Sequence, residues 1–149
     1  MSGSVIPCVG AVVTDGQGRL LMIKRGHEPG AGLWSIPGGR IEPGETDAEA
    51  LVREMFEETG LAVKVGRLIG RVQRPGPNGT VIDIRDYAAT VTGGVLRPGD
   101  DAADARWVEA AGLHSLEITE GLIGALTDWG VLGSDRRYPS GHVRPLAGA

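Results

Sequence analysis

The sequence predicts an α+β fold in which a mixed sheet lies between helices. Strand-like and helix-like segments follow one another without regular β-α alternation, which argues against a doubly wound parallel sheet. The 25 glycines and nine prolines are spread along the chain in short turn segments, as expected for short elements with tight connections. The 149 residues can bury a core of their own. We expect one domain over residues 1–135 and a tail over residues 136–149 that can remain partly disordered.

Two strands are expected first, over residues 7–13 and 20–24, because both segments are apolar and rich in β-branched or long aliphatic side chains. The turn residues at 15–19 lie between them, so the pair is expected to form a hairpin. A glycine-rich loop over residues 25–32 leads to a short extended segment at 33–36.

The next element is the most clearly marked helix of the chain. Thr46 and Glu49 match a capping box, and Gly60 supplies a C-terminal stop. These signals place the helix at residues 47–59. Apolar residues at helical spacing predict its buried stripe, which consists of Ala48, Leu51, Val52 and Met55.

The second half of the chain is predicted to be mostly strand. A strand is expected over residues 62–73 with a break at Gly66, and another over 81–92. The Asn78-Gly79 pair between them is a strong hairpin signal. A short strand at 106–108 and a helix at 120–129 complete the domain.

Composition excludes several classes of function. The net charge is −4 and the pI about 5.3, so neither nucleic acid nor an anionic membrane is an expected partner. Cys8 is the only cysteine, which rules out a disulfide within the chain and a thiolate zinc cluster. No apolar run is long enough to span a bilayer, and the first residues lack the basic region of a signal peptide. We therefore expect a cytoplasmic protein.

Three glutamates of the predicted helix raise the question of function. With about 100° per residue, Glu54, Glu57 and Glu58 form one strip beside the predicted buried stripe. Their charges repel one another, so the strip needs either full solvation or a cation. A solvated face is the commoner outcome for such a pattern. The strip borders the core, however, and a compact loop of Pro-Gly turns before the helix can supply backbone carbonyls. Such hard oxygen ligands suit Mg²⁺ or Mn²⁺.

This segment resembles the signature of the Nudix hydrolase family, G-x5-E-x7-R-E-U-x-E-E-x-G-U, where U is aliphatic. Seven fixed residue types match without a break: Gly39, Glu45, Arg53, Glu54, Glu57, Glu58 and Gly60. At roughly 7% usage per residue type, chance agreement at one position is on the order of one in 10⁸. The resemblance implies the Nudix fold, an α/β/α sandwich, over about residues 7–129.

The resemblance also implies an activity. Nudix hydrolases use Mg²⁺ or Mn²⁺ to hydrolyse a P–O–P linkage in a nucleoside diphosphate joined to another group. By position, Glu54, Glu57 and Glu58 are implied as metal ligands together with the region of the Gly39 carbonyl. Glu57 and Glu58 are also expected among the catalytic groups, and Arg53 and Glu45 as the orienting pair.

The general base is less clearly marked. The family can take this carboxylate from a loop before a tryptophan such as Trp107. Asp101 is the first choice and Asp104 the second, with Glu109 a weaker third. Solvated acidic residues of a surface loop are an equally good explanation of this cluster.

Three arginines are candidate contacts to substrate phosphate. Arg25 ends the second predicted strand, where family members often carry a basic residue, and Arg74 and Arg85 are further candidates. For Arg25 an ordinary surface arginine is an equally good explanation, and for Arg74 and Arg85 it is the better one.

The signature does not choose the substrate. Pro77 lies 16 residues beyond Leu61, as in ADP-ribose pyrophosphatases of the family, and the wider sequence is similar to short bacterial members with that label. ADP-ribose or a nucleotide sugar is therefore the first expectation. Pyrophosphohydrolysis of a nucleoside triphosphate, as in nucleotide-pool cleaning, is the alternative.

Two further hypotheses assign the chain a function without hydrolysis. A non-catalytic module that senses nucleotides is the alternative of another class, although such modules usually lose glutamates of the signature. A structural metal-binding protein is the third. Some relatives dimerise, and the first strand or the tail could mediate a homodimer.

Overall fold

The fold is that of a computed structural model, which describes residues 4–28 and 30–132. The predicted tail at 136–149 lies outside the described residues, as does the end of the predicted domain. Within the described part, the strands are β1 Val5–Val12, β2 Arg19–Arg25, β3 Trp34–Ser35, β4 Gly38–Arg40, β5 Leu61–Pro75, β6 Val81–Gly94 and β7 Ala102–Glu109. The α-helices are α1 Asp47–Thr59 and α2 Leu122–Asp128, and short 3₁₀ turns lie at Pro77–Gly79 and Ala110–Ser115.

The strands form two sheets. A four-stranded sheet has the order β4-β1-β6-β5, and a three-stranded sheet has the order β3-β2-β7. In the larger sheet β1 runs parallel to β6, while the β1–β4 and β5–β6 pairs are antiparallel. This confirms the expected mixed sheet.

Two hydrophobic clusters cover the two faces of the larger sheet. Alternate residues of β1 point to opposite faces, so Val9 and Ala11 join one cluster and Val12 joins the other. The first cluster packs against Leu51 and Met55 of α1. The second includes Leu126 of α2 and side chains of the smaller sheet. The sheet therefore has a helix on each side, which is the layered arrangement that the family resemblance implies.

The predicted hairpin of the first two strands is wrong. β1 and β2 belong to different sheets and are joined only by an isolated bridge between Thr14 and Leu20. Both edges of β1 are taken by β4 and β6, so no edge remains for a ladder with β2.

The hairpin of β5 and β6 is confirmed. Its turn contains Asn78 and Gly79, both with positive φ (56° and 77°), the conformation that this residue pair favours. The predicted break at Gly66 coincides with a register shift between Val65 and Leu68. The last strand is longer than predicted, because β7 begins at Ala102.

Helix α1 has the predicted ends but not the predicted buried stripe. The capping box of Thr46 and Glu49 is formed, and Gly60 is left-handed at the C-cap. The buried residues are Ala50, Leu51, Met55 and Thr59. Ala48 is exposed and Val52 is 43% exposed, so half of the predicted stripe faces outward. Glu54 and Glu58 therefore lie within the buried face of α1, whereas the sequence predicted them at its border.

None of the helices within the described residues is long and apolar enough to cross a membrane.

Candidate active site

The carboxylate of Glu54 lies against the backbone of β4. A Cβ atom added to Gly39 would overlap the carboxyl group of Glu54, so only glycine leaves room for this approach. Burial raises the pKa of Glu54, and the neighbouring Arg53 opposes that rise. The glycine of the signature therefore sets the position of its second glutamate.

The carboxylate of Glu58 is bonded to the same strand, at Gly38, one residue before Gly39. Its Oε1 accepts a hydrogen bond from the Gly38 N–H at 2.9 Å. Burial, together with the nearby charge of Glu54, raises the pKa of Glu58 to about 7. The two carboxylates are i, i+4 neighbours on α1 and repel each other, so the site favours a proton or a cation between them.

Arg53 connects the loop before α1 to the helix. Its Nε and Nη2 donate to the two carboxylate oxygens of Glu45, each at 2.8 Å. Its Nη1 donates to Glu54 at 2.8 Å and to Glu57 at 3.3 Å. The bidentate bond lowers the pKa of Glu45 to about 2 and raises that of Arg53. Arg53 and Glu45 thus form the expected pair, and their bonds hold the loop before α1 against the helix.

Within residues 4–28 and 30–132, no three acidic, histidine or cysteine side chains converge in a way that could hold a metal ion. Arg53 draws Glu54 and Glu57 to itself, and Gly38 holds Glu58. The donor chemistry nevertheless fits a hard divalent cation, because clustered carboxylates next to backbone oxygen are its preferred ligands. A cation would also relieve the repulsion between Glu54 and Glu58.

Arg25 and Asp101 lie at the edge of this cluster. Arg25 ends β2 and pairs with Ala102 of β7, and the Gly26 N–H donates to the Asp101 carbonyl at 3.0 Å. The Arg25 charge lowers the pKa of Glu58 and the Asp101 charge raises it, so both groups are close enough to act on Glu58. The Asp101 carboxylate is 88% exposed and lies 3.4 Å from His27 Nε2.

Asp104, the second candidate base, is bonded along its own strand. Its carboxylate accepts from Arg106 Nε and from the Ala105 N–H, each at 2.8 Å. Of these two candidates, Asp101 is therefore the one whose charge acts on Glu58.

Arg85 was a candidate contact to substrate phosphate, but in the structure it is bonded to two aspartates. Its Nε and Nη2 donate to Asp47 at 2.7 and 2.9 Å, and its Nη1 donates to Asp83 at 3.0 Å. Asp47 also accepts from the Tyr87 hydroxyl at 2.6 Å. These bonds tie the first turn of α1 to β6 and occupy all three guanidinium nitrogens.

Arg74 lies on β5, away from the glutamate cluster. Its Nη2 is 3.7 Å from the position of a Cβ on Gly121, just before α2. Its positive charge reaches Asp86 on β6. The structure therefore groups the signature residues with Arg25 and Asp101, and it places Arg74 and Arg85 at two other points of the sheet.

Asp86 was missed by the sequence interpretation. The residue is 4% exposed, and burial raises its pKa to about 6. A signal was available: Ile82, Ile84 and Ala88 occupy the same alternating positions of β6, and Asp86 interrupts this apolar row.

The chain is similar to known proteins over most of its length. Residues 5–127 match the NUDIX domain. The ADP-ribose pyrophosphatase of Methanocaldococcus jannaschii is 43% identical over 112 residues, which are 71% of this chain and 66% of that protein. The 8-oxo-(d)GTP phosphatase of Mycolicibacterium smegmatis is 40% identical over 82 residues, 55% of this chain but only 25% of that protein. The chain thus spans a little under two thirds of the first relative's length and a quarter of the second's.

Solved structures show the same fold. The crystal structure of the MutT NUDIX hydrolase from Burkholderia pseudomallei has a TM-score of 0.72 and 29% identity, and the match covers 84% of this chain and 98% of that one. The solution structure of the E. coli ORF135 protein has a TM-score of 0.69 and 27% identity, covering 84% and 90%. With the domain match, the unbroken signature and this fold, the chain belongs to the Nudix hydrolase family.

Proposed function

We propose that this Nudix pyrophosphohydrolase acts on a nucleoside diphosphate joined to another group, and that it needs Mg²⁺ or Mn²⁺. The observation that carries the proposal is the placement of Glu54 and Glu58, whose carboxylates pack against Gly38 and Gly39 at the sheet edge. Burial of two neighbouring acids is unfavourable by itself, and a bound cation would offset it.

The metal would be held by Glu54, Glu57 and Glu58 with the Gly39 carbonyl. When bound, it supplies charge neutralisation at the diphosphate and lowers the pKa of a water molecule. The chain's own residues do the positioning: Gly39 admits the Glu54 carboxylate, Gly38 orients Glu58, and Arg53 holds Glu57 in reach.

Two groups outside α1 complete the proposed machinery. The Arg25 guanidinium would bind a phosphate oxygen of the substrate. Asp101 would accept a proton from the attacking water, since its carboxylate is exposed and close enough to influence Glu58. For Arg85, the bonds to Asp47 and Asp83 favour a structural role over a phosphate contact.

ADP-ribose or a nucleotide sugar is the first candidate substrate. The M. jannaschii relative, which is named an ADP-ribose pyrophosphatase, supports it, as does the position of Pro77 in the loop before β6. A nucleoside triphosphate with an oxidised base is the second candidate, supported by the name of the M. smegmatis relative. A cytoplasmic location and a homodimer stay predictions.

The test is a Mg²⁺-dependent hydrolysis panel of ADP-ribose, nucleotide sugars, common and oxidised nucleoside triphosphates, dinucleoside polyphosphates and NADH, with products separated. We expect cleavage at a P–O–P linkage that is lost in Glu58→Gln. The matched control is Glu117→Gln, because Glu117 is an exposed glutamate remote in sequence from the signature. Metal binding without any cleavage would contradict the proposal and favour a nucleotide-sensing module.

A further inference from the structure

The segment before β7 covers the C-terminal end of α1. The last carbonyls of a helix have no partner inside it and must be paired from elsewhere. Here the carbonyls of Glu58 and Thr59 accept hydrogen bonds from the N–H groups of Gly99 and Arg97, each at 2.9 Å. The loop between β6 and β7 therefore caps the helix that carries the signature glutamates.

The sequence Arg97-Pro98-Gly99 suits this contact. A residue before proline favours an extended conformation, in which alternate N–H groups point to the same side. Pro98 has no N–H, so the missing donor falls on the position between the two that face the helix. Arg97 and Gly99 supply those two donors.

The backbone of Gly99 approaches α1 more closely than a residue with a side chain could. A Cβ on Gly99 would overlap the Glu57 carbonyl oxygen and lie 3.1 Å from the Glu58 Cα. The φ of Gly99 is not in the left-handed region. It is therefore the close approach, and not an unusual backbone conformation, that requires glycine at this position.

A tight turn follows Gly99 directly and carries Asp101. The Ala102 N–H donates to the Gly99 carbonyl at 3.1 Å, which closes a four-residue turn with Asp101 in its third position. On the other side, the Gly26 N–H donates to the Asp101 carbonyl at 3.0 Å. The backbone of Asp101 is thus held between the end of α1 and the residue that follows β2.

This arrangement connects Asp101 to the signature glutamates through a few backbone bonds. Glu58 supplies a signature carboxylate, and its carbonyl accepts from Gly99, two residues before Asp101. The Asp101 charge contributes to the raised pKa of Glu58, so the two carboxylates are close enough to interact. A displacement of the turn relative to α1 would change the distance between them.

We propose that Gly99 is a positioning residue for hydrolysis. Its contact with the last turn of α1 holds Asp101 at the distance from Glu58 at which Asp101 can accept a proton from the attacking water. This inference rests on the proposed function and on Asp101 as its base. Gly99 acts through the backbone of the turn and not by contact with the substrate.

Gly99→Ala tests the inference by displacing the turn. Thr59 at the end of α1 is fully buried, whereas Asp100 and Asp101 are exposed, so the turn is the part that yields. A misplacement on the order of 1 Å can cost about 100-fold in rate, so we expect kcat to fall by about 10- to 100-fold. KM should stay within about threefold of the wild-type value, because the groups that bind the substrate keep their positions. Mn²⁺ affinity should be unchanged.

Two other glycines provide graded controls. Gly93→Ala meets no atom within 4 Å, so it should leave kcat unchanged. Gly26→Ala would place a Cβ 3.0 Å from the Asp101 carbonyl oxygen, so it presses more weakly on the same turn from the other side. We expect its kcat to lie between the values for Gly93→Ala and Gly99→Ala.

A double-mutant cycle with Asp101→Asn separates positioning from a general loss of structure. If Gly99 acts through Asp101, Gly99→Ala should change kcat by less than about threefold in the Asp101→Asn background. A reduction by the same factor in both backgrounds would overturn the inference. Asp100→Asn is the matched control for Asp101→Asn, because Asp100 is its exposed neighbour in the same turn.

Amide hydrogen exchange tests the contact independently of activity. In the wild type, the amides at positions 97 and 99 should be protected, and in Gly99→Ala their protection should fall by about tenfold or more. Unprotected amides at these two positions in the wild type would overturn the inference.

The outcomes distinguish this inference from the proposed hydrolysis. Full activity of Asp101→Asn would overturn the inference together with the assignment of the base, but metal-dependent hydrolysis would stand. Protected amides in a chain that cleaves nothing on the panel would support the contact between Gly99 and α1. That result would contradict the proposed function, with Asp101 as its base.

Discussion

At the scale of single residues, the two most unusual groups are the carboxyls of Glu58 and Asp86. Burial raises their pKa values to about 7 and about 6. An acid whose pKa is higher in the folded chain than in the unfolded chain binds its proton more tightly when folded. Stability from such a group is therefore present at low pH and is lost as the pH rises through the folded pKa.

Asp86→Asn is expected to change this pH dependence. The ordinary pKa of 3.8 and the folded value of about 6 define the window in which wild-type stability falls. A difference of two units corresponds to about 3 kcal/mol at most. Urea unfolding between pH 4 and 7 should show the variant gaining stability relative to wild type as the pH rises. Parallel pH profiles for the two proteins would contradict the assignment.

Arg53→Lys tests the role of the guanidinium fork. A lysine keeps the charge but cannot bond Glu45 through two nitrogens while also reaching Glu54 and Glu57. Loss of such an orienting partner typically costs about 10- to 100-fold in activity or metal affinity. We expect that loss in kcat/KM with an unchanged circular dichroism spectrum. Arg19→Lys, which alters another carboxylate-bonded arginine, should retain full activity.

At the scale of elements, the contact between α1 and β4 positions the site. Gly39→Ala should push the Glu54 carboxylate away from the strand, because the new Cβ would occupy its place. We expect hydrolysis to fall by about tenfold or more, while Gly16→Ala, which meets open space, leaves the rate unchanged. A fully active Gly39→Ala would show that Glu54 need not lie against β4.

Local signals explain why α1 was predicted to the residue. Its capping box and C-cap glycine involve neighbours in sequence, so no knowledge of the fold is needed. The buried stripe depends instead on which side of the helix meets the sheet. The sheet lies on the side of Ala50, Glu54 and Glu58, and apolar spacing alone favoured Val52. The predicted hairpin of β1 and β2 was wrong for a similar reason, because the strands that pair with β1 come from distant segments of the chain.

At the scale of the whole molecule, an ion network ties α1 to the larger sheet. Arg85 bonds Asp47 of α1 and Asp83 of β6, and Arg71 of β5 completes the network. Because these residues lie on three separate elements, their pairing could not be predicted from the sequence. The signature residues could be predicted from the sequence, because they all lie in one continuous segment of the chain. The glycines opposite Asp86, Gly10 on β1 and Gly70 on β5, could be recognised only from the sheet register.

Arg85→Met tests whether this network is structural. Removing the guanidinium leaves Asp47 without two of its bonds and Asp83 without one, so the free energy of unfolding should fall by about 1–3 kcal/mol. KM for the best substrate should stay near the wild-type value. A raised KM at unchanged stability would instead support the phosphate contact predicted from the sequence.

The most direct test of the central claim is the Mg²⁺ dependence of P–O–P hydrolysis in wild type and Glu54→Gln, with Glu117→Gln as control. In wild type and control, we expect activity that disappears with EDTA and returns with added Mg²⁺. Glu54→Gln should lose the activity or need far more Mg²⁺, since an amide is a weaker ligand for a hard cation. Undiminished turnover of Glu54→Gln at the same Mg²⁺ concentration would contradict the account.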